Sequence, residues 1–186
     1  MLHFEELDAT TRKHMLLEFR AEQQSADVPP FQPANLTEEG RAIYAAVLER
    51  AIMEGNEESL ALDLANPAYW HAAEAFTTRS GRPSTRAIPA NVRANRFGLT
   101  EFNTWYVRGL CARLAAEGIA ACEVYRAAPA YEPREECRAL EGHVLSVADV
   151  YAGHRSRYYP VARPDALSIP IGPNCHHSVR RKHLVN

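Results

Sequence analysis

Residues 99–126, LTEFNTWYVRGLCARLAAEGIAACEVYR, contain a change of hydrophobic period that decides the fold class. In the first part, large apolar residues recur at helical spacing and share one face: Phe102, Tyr106, Leu110 and Leu114. Gly118 then offers a helix stop, because glycine readily adopts the backbone angles of a C-terminal cap. From Ile119 onward, apolar and polar side chains alternate with the period of a strand. The stretch therefore predicts a long helix followed by a β-strand.

The residues just before this stretch predict a second, shorter helix. It covers residues 90–97 and is separated from the long helix, residues 99–117, by Gly98. Thr100 is the expected N-cap of the long helix. Glu101 would then lie near the positive end of the helix dipole, which favours an acidic side chain.

The residues that follow predict a small antiparallel sheet. Residues 143–145 have the pattern of a second strand, entered through a turn at Gly142, where glycine allows a backbone angle that other residues resist. Residues 147–151 form a helical turn, and residues 167–171 an edge strand that Pro170 limits. We therefore expect an α+β fold, with the long helix packed on the sheet and a Cys/His-containing loop region near the C-terminus.

The charge distribution divides the chain into three regions. Residues 1–76 hold fourteen acidic residues against five basic ones and predict an acidic helical region. Residues 77–89 are rich in Arg, Ser, Gly and Pro and predict a loop. Residues 90–186 form the expected α+β domain. With no run of 18 apolar residues and no signal-peptide pattern, we expect a soluble protein made in a cytoplasm, with no membrane partner.

Three helices are expected in the acidic region. The first lies within residues 4–19, ahead of a proline-rich stretch, and is expected to be solvent-exposed. The second begins at Thr37, a suitable N-cap, and continues to Gly55. The third covers residues 57–65 and ends before a proline.

The four cysteines are too few and too widely spaced for a secreted disulfide framework. Cys111 and Cys122 are most simply core residues. Thiolate and imidazole groups are the ligands that zinc prefers in tetrahedral sites. Four residues are therefore candidate zinc ligands: Cys137, Cys175, His177 and, as the fourth, His143, with His154 or His176 as substitutes for it. A disulfide or close thiol pair between Cys137 and Cys175, and ordinary buried cysteines, remain alternatives.

Several short motifs occur together in residues 92–181. They are Thr100-Glu101, Glu117-Gly118, the strand at residues 122–125, the segment from Cys137 through Leu140 to Gly142, and Asn174-Cys175-His176-His177-Ser178. In this order and spacing they resemble the minor head proteins of tailed bacteriophages related to phage Mu protein F, including the group called phage minor capsid protein 2. The chain departs from that pattern at Arg134, where many members carry a cysteine, and at Gly172, where many carry a histidine.

The resemblance implies a virion structural protein that catalyses no reaction. Such a protein would be made in the host bacterial cytoplasm and would act in head assembly or in DNA packaging or ejection. Its partners would be the portal, the capsid or the head–tail connector, in an oligomeric arrangement, with nonspecific contact to packaged DNA. Four positions match structural elements of the family: Glu101, Leu140, Gly142 and Asn174.

Two other functions are open to this sequence. Ala94 and Gly98 have the spacing of a helix-turn-helix, although Thr104 suits that motif poorly, so a DNA-binding regulator is one alternative. Basic residues near this segment are candidates for phosphate contacts: Arg79, Arg82, Arg86, Arg93 and Arg96. The other alternative is a metal-dependent phosphodiesterase in which Glu141 is the base.

Overall fold

The computed structural model describes residues 2–24, 38–66, 90–153, 168–171 and 175–182. The helices within these residues are α1 (Ala9–Gln24), α2 (Glu38–Glu54), α3 (Glu57–Ala65), α4 (Ala90–Ala116), α5 (Glu135–Arg138) and α6 (Val147–Ala152). The strands are β1 (Ala121–Arg126), β2 (Val144–Ser146) and β3 (His177–Arg181). The expected α+β class, with a helical N-terminal half and a small antiparallel sheet, is confirmed.

Helix α4 is the central element of the fold. Its predicted apolar stripe is confirmed, because all four side chains are fully buried: Phe102, Tyr106, Leu110 and Leu114. The helix ends before Gly118, whose φ of 73° confirms the predicted stop.

The break predicted at Gly98 is wrong, because α4 continues through this residue without interruption. A Cβ built on Gly98 would lie 2.9 Å from the Cβ of Ala61 on α3. Glycine therefore serves here to let two helices approach closely, and it does not end a helix. Thr100 and Glu101 consequently lie inside α4, both buried, so their prediction as cap and first-turn residues is also wrong.

The sheet has the order β2-β1-β3, and both pairings are antiparallel. The predicted strands at residues 122–125 and 143–145 are confirmed, the first extended by one residue at each end and the second shifted by one residue. The strand predicted at residues 167–171 is wrong over its described part, because residues 168–171 belong to no strand and Pro170 has no N–H to donate to a ladder. The third strand is instead β3, in which Val179 lies opposite Val124.

Helices α1 and α3 pack against α4, so the N-terminal helices share one hydrophobic core with the rest of the described chain. The prediction that the first helix is solvent-exposed is wrong, since Met15 and Phe19 of α1 are buried. The Phe19 ring meets the Trp105 ring edge-on, with centroids 5.2 Å apart. The helix predicted from Thr37 to Gly55 is confirmed over Glu38–Glu54, with Thr37 itself outside the described residues, and the helix predicted at residues 57–65 is confirmed. Asn56 caps α3 by accepting a hydrogen bond from the backbone N–H of Ser59.

The segment before α1 joins the two halves of the molecule. The His3 N–H donates to the Ala127 carbonyl at 2.7 Å, and the Tyr125 hydroxyl donates to the His3 carbonyl at 2.7 Å. Ion pairs then join the acidic start of the chain to β3, between Glu5 and Arg180 and between Glu6 and Arg181. Part of the charge asymmetry in the sequence is therefore balanced within the chain.

The helices and the sheet share one hydrophobic core. It contains side chains from every helix and from β1 and β3, and Leu145 of β2 packs against it. Cys111 and Cys122 lie in it, as predicted. Among the described helices, none is both long and apolar enough to cross a membrane. The predicted loop at residues 77–89 lies outside the described residues.

Candidate metal centre

Cys137 lies on the single-turn helix α5, directly before a tight turn. The Leu140 N–H donates to the Cys137 carbonyl at 3.1 Å, and the His143 N–H donates to the Leu140 carbonyl at 3.1 Å. Gly142 has a φ of 76°, which confirms the backbone angle predicted for it. Its N–H donates to the Val124 carbonyl at 2.8 Å, and this bond holds the turn against β1.

Cys175 and His177 are positioned by the start of β3. His177 lies opposite Arg126 in the ladder, and the Ala127 N–H donates to the His176 carbonyl at 2.8 Å. From α4, the side-chain amide of Asn103 donates to the His177 carbonyl at 2.8 Å. The sheet and the central helix thus fix the backbone that carries both candidate ligands.

Cys137, Cys175 and His177 come together in the folded chain, and we call them the metal trio. Their candidate ligand atoms all lie within 4.8 Å of one another, and each side chain is buried. The sulfur atoms of Cys137 and Cys175 are 3.8 Å apart, which is a close thiol pair and not a disulfide. The geometry confirms the predicted grouping of these three residues, which can hold a metal ion.

Of the other predicted ligands, His143 does not join the metal trio. It is exposed, and among the described residues no further Cys, His, Asp or Glu lies within the same distance of all three. His176 follows Cys175 and stacks on Tyr131, with ring centroids 4.5 Å apart. His154 lies outside the described residues.

The thiols of the trio have different electrostatic surroundings. Burial and the neighbouring thiol raise the pKa of Cys137 to about 11. Burial also acts to raise the pKa of Cys175, but the adjacent His177 ring and nearby backbone groups outweigh it, and the pKa is lowered. The pKa of His177 is raised, because its closeness to the Cys175 thiol and its bond to Glu141 outweigh the effect of burial. Cys175 is therefore the thiol most easily converted to a metal-binding thiolate.

Glu141 and Arg126 form a second layer behind His177. The Nε2 atom of His177 lies 2.8 Å from Oε1 of Glu141. The Arg126 guanidinium donates to both oxygens of this carboxylate and is the main reason that the pKa of Glu141 is lowered to about 2. A carboxylate that accepts from one ring nitrogen fixes the tautomer and leaves the other nitrogen as a metal ligand. That other nitrogen, Nδ1 of His177, is buried and has no hydrogen-bond partner among the described atoms.

A cavity of about 300 Å³ borders the metal trio. Its lining consists of Tyr131, Glu132, Pro133, Arg134, Cys137, His176 and His177. Two members of the trio, Cys137 and His177, therefore have a side that is accessible from the cavity. The remaining member, Cys175, is held behind them.

The other residues singled out by the sequence have separate locations. Leu140 packs against the hydrophobic core, and Glu101 is buried in α4. Arg93 and Arg96 belong to the N-terminal part of α4. Four other predicted site residues lie outside the described residues: Arg79, Arg82, Arg86 and Asn174. Sequence reasoning missed Arg126 and Asn103, whose roles depend on contacts between elements far apart in the chain.

The sequence matches no family model, no curated protein and no solved structure. The resemblance to phage minor head proteins therefore rests on the order and spacing of the motifs in residues 92–181 alone. Chemically, two thiols and one oriented imidazole make a soft donor set, suited to zinc or a similar ion.

Proposed function

We propose that this protein is a structural component of a tailed-phage virion, similar to the minor head proteins. The supporting observation is the 3.8 Å contact between Cys137 and Cys175, which brings together two of the separated motifs on which the resemblance depends. One motif forms the turn against β1, and the other leads into β3. In this proposal the motifs are structural, because they join two segments of a small sheet.

We also propose that zinc occupies the metal trio and acts as a clip. The turn at residues 137–142 lies against β1, and the other segment leads into β3. Both strands belong to a small three-stranded sheet whose strands are short. Small sheets bury little apolar surface, so a metal that bonds to two segments supplies folding free energy that the core does not. The oriented ring of His177 and the depressed pKa of Cys175 support a zinc clip at this place.

The environment of Glu141 weighs against a hydrolytic centre. A hydrolase needs a base that can reach a metal-bound water. Both oxygens of the Glu141 carboxylate are already engaged, one with His177 and Arg126 and the other with Arg126. Glu141 is therefore placed to orient a ligand, and the phosphodiesterase alternative loses its candidate base.

A sequence-specific DNA regulator is also less well supported. The helix-turn-helix interpretation needs a turn at Gly98, where α4 is continuous. Contact with packaged DNA remains part of the virion proposal, because it requires positive charge and no particular motif.

The N-terminal helices are the proposed docking surface for the portal, the capsid or the connector. Each exposes one large apolar side chain: Leu17 on α1, Met53 on α2 and Leu62 on α3. Acidic residues occur around them in the sequence. Singly exposed apolar residues are common on protein surfaces, so the proposal requires a partner that covers all three side chains together.

The decisive experiment is to express the gene in its natural genomic setting and purify phage particles on a density gradient. Peptide mass spectrometry should then find the chain in the particle fraction in a fixed ratio to the portal protein. A chain that stays entirely in the soluble lysate, while intact particles form without it, would exclude the virion role. Metal analysis of the purified chain tests the zinc clip separately.

A further inference from the structure

The metal trio supplies one donor fewer than a structural zinc site uses. Structural zinc sites are nearly always bound by four protein ligands, whereas sites with three keep a position for an exogenous ligand. No fourth Cys, His, Asp or Glu joins the trio among the described residues. Both oxygens of the Glu141 carboxylate are already engaged by Arg126 and His177, so Glu141 is not available as the fourth ligand.

The position of the cavity indicates where a fourth ligand would enter. Cys137 and His177 both line it, so an ion bound between them faces its interior. Among the described residues, the buried Nδ1 atom of His177 has no partner with hydrogen-bond geometry, which is unfavourable unless an ion or another polar group meets it. The volume of about 300 Å³ is ample for a side chain or a small organic molecule.

The charges around the cavity favour an anionic ligand. Two thiolates and a neutral imidazole balance a divalent cation, so the centre itself carries no net charge. Arg134 lines the cavity, and its charge acts on both Cys137 and His176. The one acidic side chain of the lining, Glu132, is exposed and paired with Arg138. A carboxylate in the cavity would therefore have both the metal and the Arg134 guanidinium in the lining to interact with, in competition with Glu136, which pairs with Arg134 at 3.7 Å.

We propose that a metal ion held by Cys137, Cys175 and His177 keeps its fourth coordination position open to the cavity and binds there a carboxylate of a second molecule. The inference rests on the proposed metal clip and adds a ligand to it. The carboxylate oxygen completes a tetrahedral shell, and the Arg134 guanidinium pairs with the second oxygen. In an assembly, an acidic side chain of a neighbouring protein would fill this position.

The test uses the full chain loaded with cobalt(II), whose visible absorption reports the number and type of its ligands. Acetate is titrated into the protein, and in parallel a tetrapeptide whose only charged side chain is a central aspartate. We expect a saturable change of the cobalt spectrum with either ligand. Tighter binding of the peptide than of acetate would identify a protein side chain as the natural source, and the reverse would identify a small acid.

Variants separate the cavity from general charge effects. Arg134→Gln should weaken acetate binding about tenfold and leave cobalt binding intact. Arg20→Gln is the matched control, because it removes the same charge from an exposed ion pair between α1 and α2. The control should bind acetate as the wild type does.

Three results would overturn the inference. One is a cobalt-loaded chain whose spectrum does not respond to acetate or to the peptide. Another is a change of the cobalt spectrum, without added ligand, in Glu132→Gln, His143→Ala or His154→Ala, since the chain itself would then fill the position. The third is a chain that takes up no cobalt, which would remove the metal clip as well but would leave the virion role to be decided by particle analysis.

Discussion

The sulfur atoms of Cys137 and Cys175 lie 3.8 Å apart, although the two residues are separated by 38 positions in the sequence. Each cysteine is fixed by a different element, the first by α5 and the second by the start of β3. Because the unfolded chain rarely holds such a site, a metal ion bound between them would add its binding free energy to the stability of the folded state. The contact is therefore the place to test whether the protein depends on a metal.

We expect Cys175→Ser to abolish metal binding and to destabilise the protein. A serine hydroxyl is a poor zinc ligand, and burying it without a good partner costs about 1–3 kcal/mol in addition to the lost metal. For a chain of this length, each 1 kcal/mol lowers the Tm by roughly 2–4 °C. Native mass spectrometry measures bound metal, and thermal unfolding with and without a chelator measures its contribution.

Cys111→Ser is the matched control, because Cys111 is equally buried but lies outside the metal trio. It should lose packing energy and still bind one metal. A chelator should lower the Tm of the wild type and of Cys111→Ser and leave Cys175→Ser unchanged. Equal chelator sensitivity in both variants would count against the assigned ligands.

Glu141→Ala should lower the affinity for the metal about 10- to 100-fold without unfolding the chain, because partners behind a ligating histidine typically contribute that much. The variant removes the bond at Nε2 that orients the His177 ring and would leave Nδ1 available for an ion. Glu141→Gln, which keeps an acceptor oxygen, should be intermediate. Competition with a chromogenic chelator measures the affinity of each variant.

Glu135→Gln on α5 is the control for this prediction, because it removes an exposed carboxylate close to Cys137 without touching His177. Its affinity should equal that of the wild type. An unchanged affinity in Glu141→Ala would mean that the carboxylate does not orient the ligand.

The sequence predicted those parts of the fold that depend on local pattern. The stripe from Phe102 to Leu114, the stop at Gly118 and the switch to a strand are visible in neighbouring residues, and all three are confirmed. Strand β3 was missed because its only large apolar residue is Val179. Its two arginines form ion pairs with glutamates that are distant in the sequence, and no local pattern predicts ion pairs of that kind.

The metal trio was predictable because cysteine and histidine are the usual zinc ligands and their order in the sequence resembles that of a known family. The contacts that support the trio were not predictable from the sequence. Arg126 supports Glu141 only because β1 lies beside both the 140–142 turn and β3, and Asn103 reaches His177 only because α4 packs on the sheet. Sheet register and helix packing decide such contacts, and neither is encoded in a short stretch of sequence.

Gly98→Ala should destabilise the protein, although alanine is the better helix former. The helix preference favours alanine by about 1 kcal/mol. Against this, the new methyl group would lie 2.9 Å from both the Ala61 Cβ and the Glu57 carbonyl oxygen, and such overpacking costs about 1–3 kcal/mol. We expect a net loss of about 1 kcal/mol in urea unfolding.

Ala115→Gly, at an exposed position of the same helix, measures the helix preference alone and should cost up to about 1 kcal/mol. If Gly98→Ala gained as much stability as Ala115→Gly lost, α3 and α4 would not be in close contact at this point.

Glu57 should make the protein less stable as the pH rises above about 4.5, the ordinary pKa of its carboxyl group. The side chain is buried at the start of α3, where one oxygen accepts a hydrogen bond from the Leu2 N–H and the other has no partner among the residues that the structure describes. Burial raises the pKa of Glu57 in the folded state. The folded state therefore binds the proton more tightly than the unfolded state. The stabilisation is complete below the pKa of the unfolded state and is lost as the pH rises through the pKa of the folded state.

Glu57→Gln, which is neutral throughout, should match or exceed the wild type in stability at neutral pH and should flatten the pH dependence of urea unfolding. The control is Glu58→Gln, an exposed change on the same turn, which should keep the wild-type slope. If the slope of Glu57→Gln equalled that of the wild type, the buried carboxylate would not be the source of the pH dependence.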